Sequence, residues 1–132
     1  MADTDVFALI SSDGRLELRE GVVTRMDQDT DPEQWAAAGF LIHRATWGTP
    51  GLEGRIGRGS LLSGSYPPNR TATMLVAVLG GPEKYVFGNL AICGVRATSN
   101  SRDPTLCGLT AAQQDLIRDV HTAVQNGIGG TR

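Results

Sequence analysis

Residues 66–97 read YPPNRTATMLVAVLGGPEKYVFGNLAICGVRA, and this stretch decides the fold. Pro67-Pro68 cannot propagate a helix, so the chain enters the segment as a turn. Asn69 follows as a helix N-cap, its side-chain oxygen placed to accept from an early helical N–H. Thr71-Ala72-Thr73 and the apolar run Met74 to Leu79 then read as helix. Gly80-Gly81-Pro82 stops it, because glycine accepts the left-handed backbone and proline cannot continue the ladder. Tyr85 to Ala97 is apolar at both parities, which predicts a central strand buried on both faces. The segment sets the architecture and brings no group that does chemistry.

Upstream, Val6 to Glu20 predicts a hairpin with Asp13-Gly14 as a two-residue turn. In that register Leu9 faces Leu18, with Phe7 and Leu16 on the same side, while Glu17 and Arg19 share the other side with Ala8 and Ile10. Asp31 N-caps a short helix with Pro32 in its first position and Gln34 completing a capping box; Gly39 ends it after Trp35-Ala36-Ala37-Ala38. Phe40 to Trp47 reads as a strand with Leu41, His43, Ala45 and Trp47 on one face. Residues 48–66, rich in glycine, arginine and serine, read as a long loop or irregular hairpin.

Downstream, Thr98 to Pro104 is polar and predicts an exposed loop. Thr110-Ala111-Ala112-Gln113 is a capping box that opens the last helix, with Leu116, Ile117, Val120 and Val124 as its buried stripe. Asn126-Gly127 ends that helix, and residues 1–4 and 127–132 should fray. No repeat and no linker divides the chain. The expected architecture is a single α+β domain over 1–132, with a mostly antiparallel sheet of about four to six strands packed on two main helices, plus one short helix.

With 132 residues, 40% of them hydrophobic, one domain can bury a sizeable core. The net charge of −2 provides no general attraction to nucleic acid or an anionic membrane. Lys84 is the only lysine beside the arginines, a composition that matches GC-rich coding. The acidic start Met1-Ala2-Asp3-Thr4-Asp5 is not a secretory signal, and no apolar run approaches the roughly 20 residues that span a bilayer. A cytoplasmic location follows as the expectation, with Cys93 and Cys107 kept as thiols.

The loop Gly54-Arg55-Ile56-Gly57-Arg58-Gly59-Ser60 is the first candidate for binding. Glycines let backbone amides approach a phosphate, and Arg55, Arg58 and Arg70 could pair with its oxygens. It is neither a Walker loop nor the dinucleotide fingerprint, and a KH-type clamp lacks its flanking helices. A solvated turn is the simpler account. Trp47 and Tyr66, with Trp35 near them, are the candidate protein contacts, since tryptophan and tyrosine anchor many interfaces; packing under the long loop is the plainer alternative.

Cys93, Cys107, His43 and His121 have zinc stoichiometry without zinc spacing, because each stands alone. A Cys107–His121 pair oriented by Asp119 or Asp103 would need all three to converge, and no serine sits in a nucleophile elbow. No catalytic, cofactor or metal set is therefore expected.

Pro67-Pro68-Asn69-Arg70-Thr71-Ala72-Thr73, the strand Tyr85-Val86-Phe87-Gly88-Asn89-Leu90 and Gly108-Leu109-Thr110 together resemble an uncharacterised family of short proteins. That family is carried by phages, plasmids and other mobile elements, particularly of actinobacteria. The resemblance covers the second half of the chain and implies a mobile-element accessory protein, with no catalytic residues to carry over. The basic glycine loop is longer than the family pattern. The expected function is a non-catalytic module that binds a protein partner or itself; the alternative is phosphate or nucleic-acid binding through residues 54–60.

Overall fold

Side chains alternate across a strand, so a sheet apolar at both parities must bury both of its faces. The computed structural model describes residues 5–21, 38–46, 48–56, 68–83, 85–97 and 105–130. They form β1 (Asp5–Ile10), β2 (Leu16–Gly21), β3 (Ala38–His43), β4 (Gly51–Ile56), α1 (Arg70–Leu79), β5 (Leu90–Arg96), β6 (Thr105–Cys107) and α2 (Ala111–Gly130). The fold is α+β with one antiparallel sheet in the order β2-β1-β5-β4-β3.

β5 is the central strand, as its composition predicts, although it begins at Leu90 rather than Tyr85. β4 lines one edge from Leu90 to Val95. The other edge is shared, β1 pairing with Leu90 to Ile92 and β6 with Gly94 to Arg96. β6 is short and was not expected from sequence. One face of the sheet packs Ala8, Ile10, Leu52, Ile56, Leu90 and Ile92 against Leu75, Val76 and Leu79 of α1 and Ile117 and Val124 of α2. The other face buries a smaller cluster of Phe7, Leu9, Ala91, Cys93, Val95 and Leu106.

The hairpin forms, but its register is one residue away from the expected one. Ser11 N–H donates to Arg15 O at 3.0 Å and Gly14 N–H to Ser11 O at 2.8 Å. This is a three-residue loop, with Gly14 in the left-handed region at φ 92°. Leu9 therefore opposes Glu17, and Ala8 and Ile10 oppose Leu18 and Leu16. One extra loop residue moves Leu16 and Leu18 to the face of Ala8 and Ile10, where the helices cover them.

Residues 51–56 are not loop. They form β4, paired with β5 from Gly51 to Ile56 and with β3 from Leu52 to Ile56. Its glycines meet steric demands: a Cβ on Gly54 would lie 2.5 Å from Phe40 Cζ, so the far end of the Phe40 ring occupies the space that a side chain there would need. Thr46 and Thr49 exchange both backbone hydrogen bonds and close the β3–β4 turn.

In β3 the core-facing residues are Phe40 and Ile42, whereas Leu41 is exposed. A register irregularity between Leu41 and His43 breaks the alternation on which the expected Leu41–His43–Ala45 face rested. Gly39 does not end a helix; it pairs with Arg55 within β3. The short helix expected before Ala38, the fraying expected at 1–4 and 131–132 and the loop expected at 98–104 fall outside the described residues.

The helix caps follow the sequence closely. Gly80 ends α1 in the left-handed conformation at φ 101°, its N–H bonded to Ala77 O. His43 Nε2–H reaches the Leu79 carbonyl, giving the helix end a side-chain donor as well. At α2 the capping box is reciprocal: Gln113 N–H donates to Thr110 Oγ1 at 3.1 Å, and Thr110 N–H to Gln113 Oε1 at 3.0 Å. His121 and Gln125 both donate to Gly14 O, at 2.8 and 2.6 Å, and tie α2 to the hairpin turn. Leu116, expected in the buried stripe, is exposed, and the helix runs through Asn126-Gly127 to Gly130.

Two glycine substitutions separate these roles. Gly127→Ala should raise stability by about 0.5–1 kcal/mol, because its Cβ meets nothing and alanine favours helix. A helix ending in a left-handed Gly127 would instead be destabilised by the same change. Gly54→Ala should lower stability by about 1–3 kcal/mol, with partial recovery on adding Phe40→Leu. Urea unfolding of the three variants reads all of these differences.

Candidate functional site

The site is built on Asn69, which is 0% exposed. Its Oδ1 accepts from Ala72 N–H at 3.0 Å, the N-cap bond expected from sequence. Its Nδ2 does something the sequence does not announce, donating to Ile10 O at 3.1 Å and Gly88 O at 2.8 Å. The Asn69 backbone N–H reaches Val86 O at 2.8 Å. Thr73 completes the set, its hydroxyl donating to Asn69 O at 2.9 Å and accepting from Val86 N–H at 2.9 Å. One buried amide thus fastens the start of α1 to the end of β1 and to the strand-like segment 85–88.

Beside this hub lies an open groove of ≈ 410 Å³ between α1 and residues 85–86. Pro68, Met74 and Val86 provide apolar wall, Tyr85 stands over it, and Arg70 lies at the end where the helix begins. Tyr85 is 80% exposed, and Met74 and Val78, one turn apart on α1, are exposed as well. The opposite side of the helix, through Leu75, Val76 and Leu79, is buried. α1 is therefore apolar on more sides than the core can cover. The groove offers contact area, one guanidinium and one phenol. The Thr73 hydroxyl is already committed in both directions.

Arg55 and Arg70 are not brought together. Arg55 lies on β4 with its side chain on the sheet face away from α1, buried and paired with Glu53 at 2.9 Å. Sequence reading placed it in a flexible loop, whereas a strand flanked on both edges aims it inward beside a carboxylate. Arg58, Trp47 and Tyr66 lie outside the described residues. Met74 and Tyr85 of the groove, and the exposed Val78 one turn from Met74, are not marked as a site by any motif. The available signal was the lack of any polar residue from Met74 to Leu79, more apolar surface than one buried helix stripe uses.

The thiols and imidazoles are dispersed. His43 is engaged at the end of α1 and His121 at the hairpin turn. Cys93 lies on the second face, while Cys107 opposes Gly94 and so belongs to the other parity of β5. Among the described residues no three His, Cys, Asp or Glu side chains gather in metal-binding range. No described helix is long and apolar enough to cross a membrane.

Burial pushes the Cys93 thiol up to about 12 from its ordinary 9.0; the Glu53 carboxylate adds to the shift and the Arg55 guanidinium opposes it. Burial also raises Cys107, with Arg96 opposing.

Compared with known proteins, the chain matches no family model, no curated protein and no solved structure.

Two sets of measurements test this local chemistry. Asn69→Ala should cost about 3 kcal/mol, through loss of the cap and two carbonyls left without donors. Asn69→Asp keeps the acceptor but aims a carboxylate at Ile10 O and Gly88 O. Burial raises that carboxyl above its unfolded value of about 3.9, so the variant should be most stable below that pH and weaken as pH rises. Denaturant unfolding at acidic and neutral pH reads the trend.

For Cys93, the folded protein should resist maleimide at mildly alkaline pH and react once unfolded by guanidinium. Its raised pKa gives stability that is complete below 9.0 and lost as pH climbs toward about 12. Cys93→Ala should flatten that alkaline decline.

Proposed function

We propose that this chain is a non-catalytic protein-interaction module whose contact surface is the outer side of α1 with the groove beside it. The observation that carries this reading is the exposure of Met74 and Tyr85 at one groove, with Val78 exposed one turn further along α1, on a segment fixed by the buried Asn69. Exposed aromatic and methionine side chains on a rigid support are what a partner can bury at little ordering cost. The resemblance of residues 67–73, 85–90 and 108–110 to short proteins of mobile elements supports an accessory role for such a module. The partner is another protein or a second copy of the chain. Arg55, engaged with Glu53, leaves the phosphate-binding alternative without one of its three arginines.

Val78→Asp places a charge on the exposed side of α1, one turn from Met74, without touching the core. If copies associate through this face, light scattering after size exclusion should show a dimer that becomes monomeric in Val78→Asp, with unchanged circular dichroism. If another protein occupies it, a photo-crosslinking residue at Tyr85 should give a defined adduct that Val78→Asp removes. The same residue at Asp119, on the exposed side of α2, should give none. A monomer that crosslinks equally from both positions would overturn the proposal.

A further inference from the structure

Building on that contact surface, we infer that the groove receives a short acidic segment of a partner protein, one that carries a bulky apolar side chain beside its carboxylates. The walls decide the apolar part: Pro68, Met74, Val86 and the exposed Tyr85 border an open groove with room for one large side chain. Charge decides the rest. Arg70 is the first residue of α1, where the peptide dipoles already place partial positive charge. The first turn holds no acidic residue, and among the described residues no carboxylate lines the groove. None of the ion pairs among the described residues includes Arg70. A carboxylate at this position would favour the helix, so arginine runs against the local preference and gives the groove a cation that no described carboxylate matches.

A nucleic acid suits the same surface less well. Neutralising a single phosphate releases few counterions, and the walls are more apolar than a backbone-tracking surface requires. An acidic peptide uses the cation and the apolar walls together.

The test uses the full chain and three fluorescein-labelled peptides with a central tryptophan flanked by aspartates, asparagines or lysines. A single-stranded oligonucleotide serves as a fourth probe. Fluorescence anisotropy at low salt should rank aspartate over asparagine over lysine, with about a tenfold or greater gap between the extremes, as a charge-assisted hydrogen bond provides. Arg70→Glu should invert the ranking. This variant also places a carboxylate where the helix favours it, so its fold should survive, and circular dichroism verifies that. Tyr85→Ala should weaken the aspartate and asparagine peptides by similar factors, because it removes apolar contact alone.

Equal binding of the three peptides, a ranking unchanged in Arg70→Glu, or tightest binding of the oligonucleotide would overturn the inference. If crosslinking from Tyr85 persists under any of those results, only the acidic occupant is wrong. If the crosslink is absent as well, the contact surface itself falls.

Discussion

The amide of Asn69 is the constraint on which the rest of the described structure depends. A buried primary amide is costly unless its donors and acceptor are matched, and here both kinds of group find main-chain partners. Those partners belong to α1, β1 and the approach to β5. Serine or threonine could cap the helix but could not also donate to two carbonyls in opposite directions. Aspartate could cap but, when ionised, could not donate at all. Among the usual cap residues only asparagine serves every contact seen here.

That fixture explains where the groove lies. Pro68 precedes Asn69 and bridges to Phe87, while Thr73 links the first turn of α1 to Val86. The start of α1 and residues 86–88 are thereby held side by side. Met74 and Val78 then occupy a helix face that the sheet does not reach, with Tyr85 alongside. The same framework keeps Arg55 remote from Arg70, because the sheet stands between the face of Arg55 and the helices. Two arginines close enough in sequence to invite a joint role belong to separate environments: one faces a carboxylate in a buried setting, the other solvent at a helix N-terminus.

Legibility followed the range of the interaction involved. The N-cap at Asn69, the left-handed stop at Gly80 and the reciprocal box of Thr110 and Gln113 all involve residues within a few positions of each other, and all were readable. The centrality of β5 was readable too, since only a strand covered on both faces is apolar at both parities. The hairpin was recognised but misregistered, because Asp13-Gly14 is compatible with loops of two or three residues. The glycines of β4 read as loop in sequence, whereas Gly54 accommodates a ring from β3. The Leu41 face failed at an irregularity that leaves no mark in the sequence. Asn126-Gly127 resembled a stop because glycine disfavours helix, yet that penalty is small enough for a long, well-capped helix to continue through it.

The order of residues by itself determined the element types at the two caps, the α+β class and the burial of the central strand. It did so because these follow from backbone preferences and side-chain parity over short distances. The tertiary structure alone decided the strand order, the hairpin register, the second role of Asn69 and the side of the sheet to which each arginine belongs. Those depend on contacts between residues tens of positions apart, such as Asn69 with Ile10 and Gly54 with Phe40, and no local preference encodes which distant group will be met.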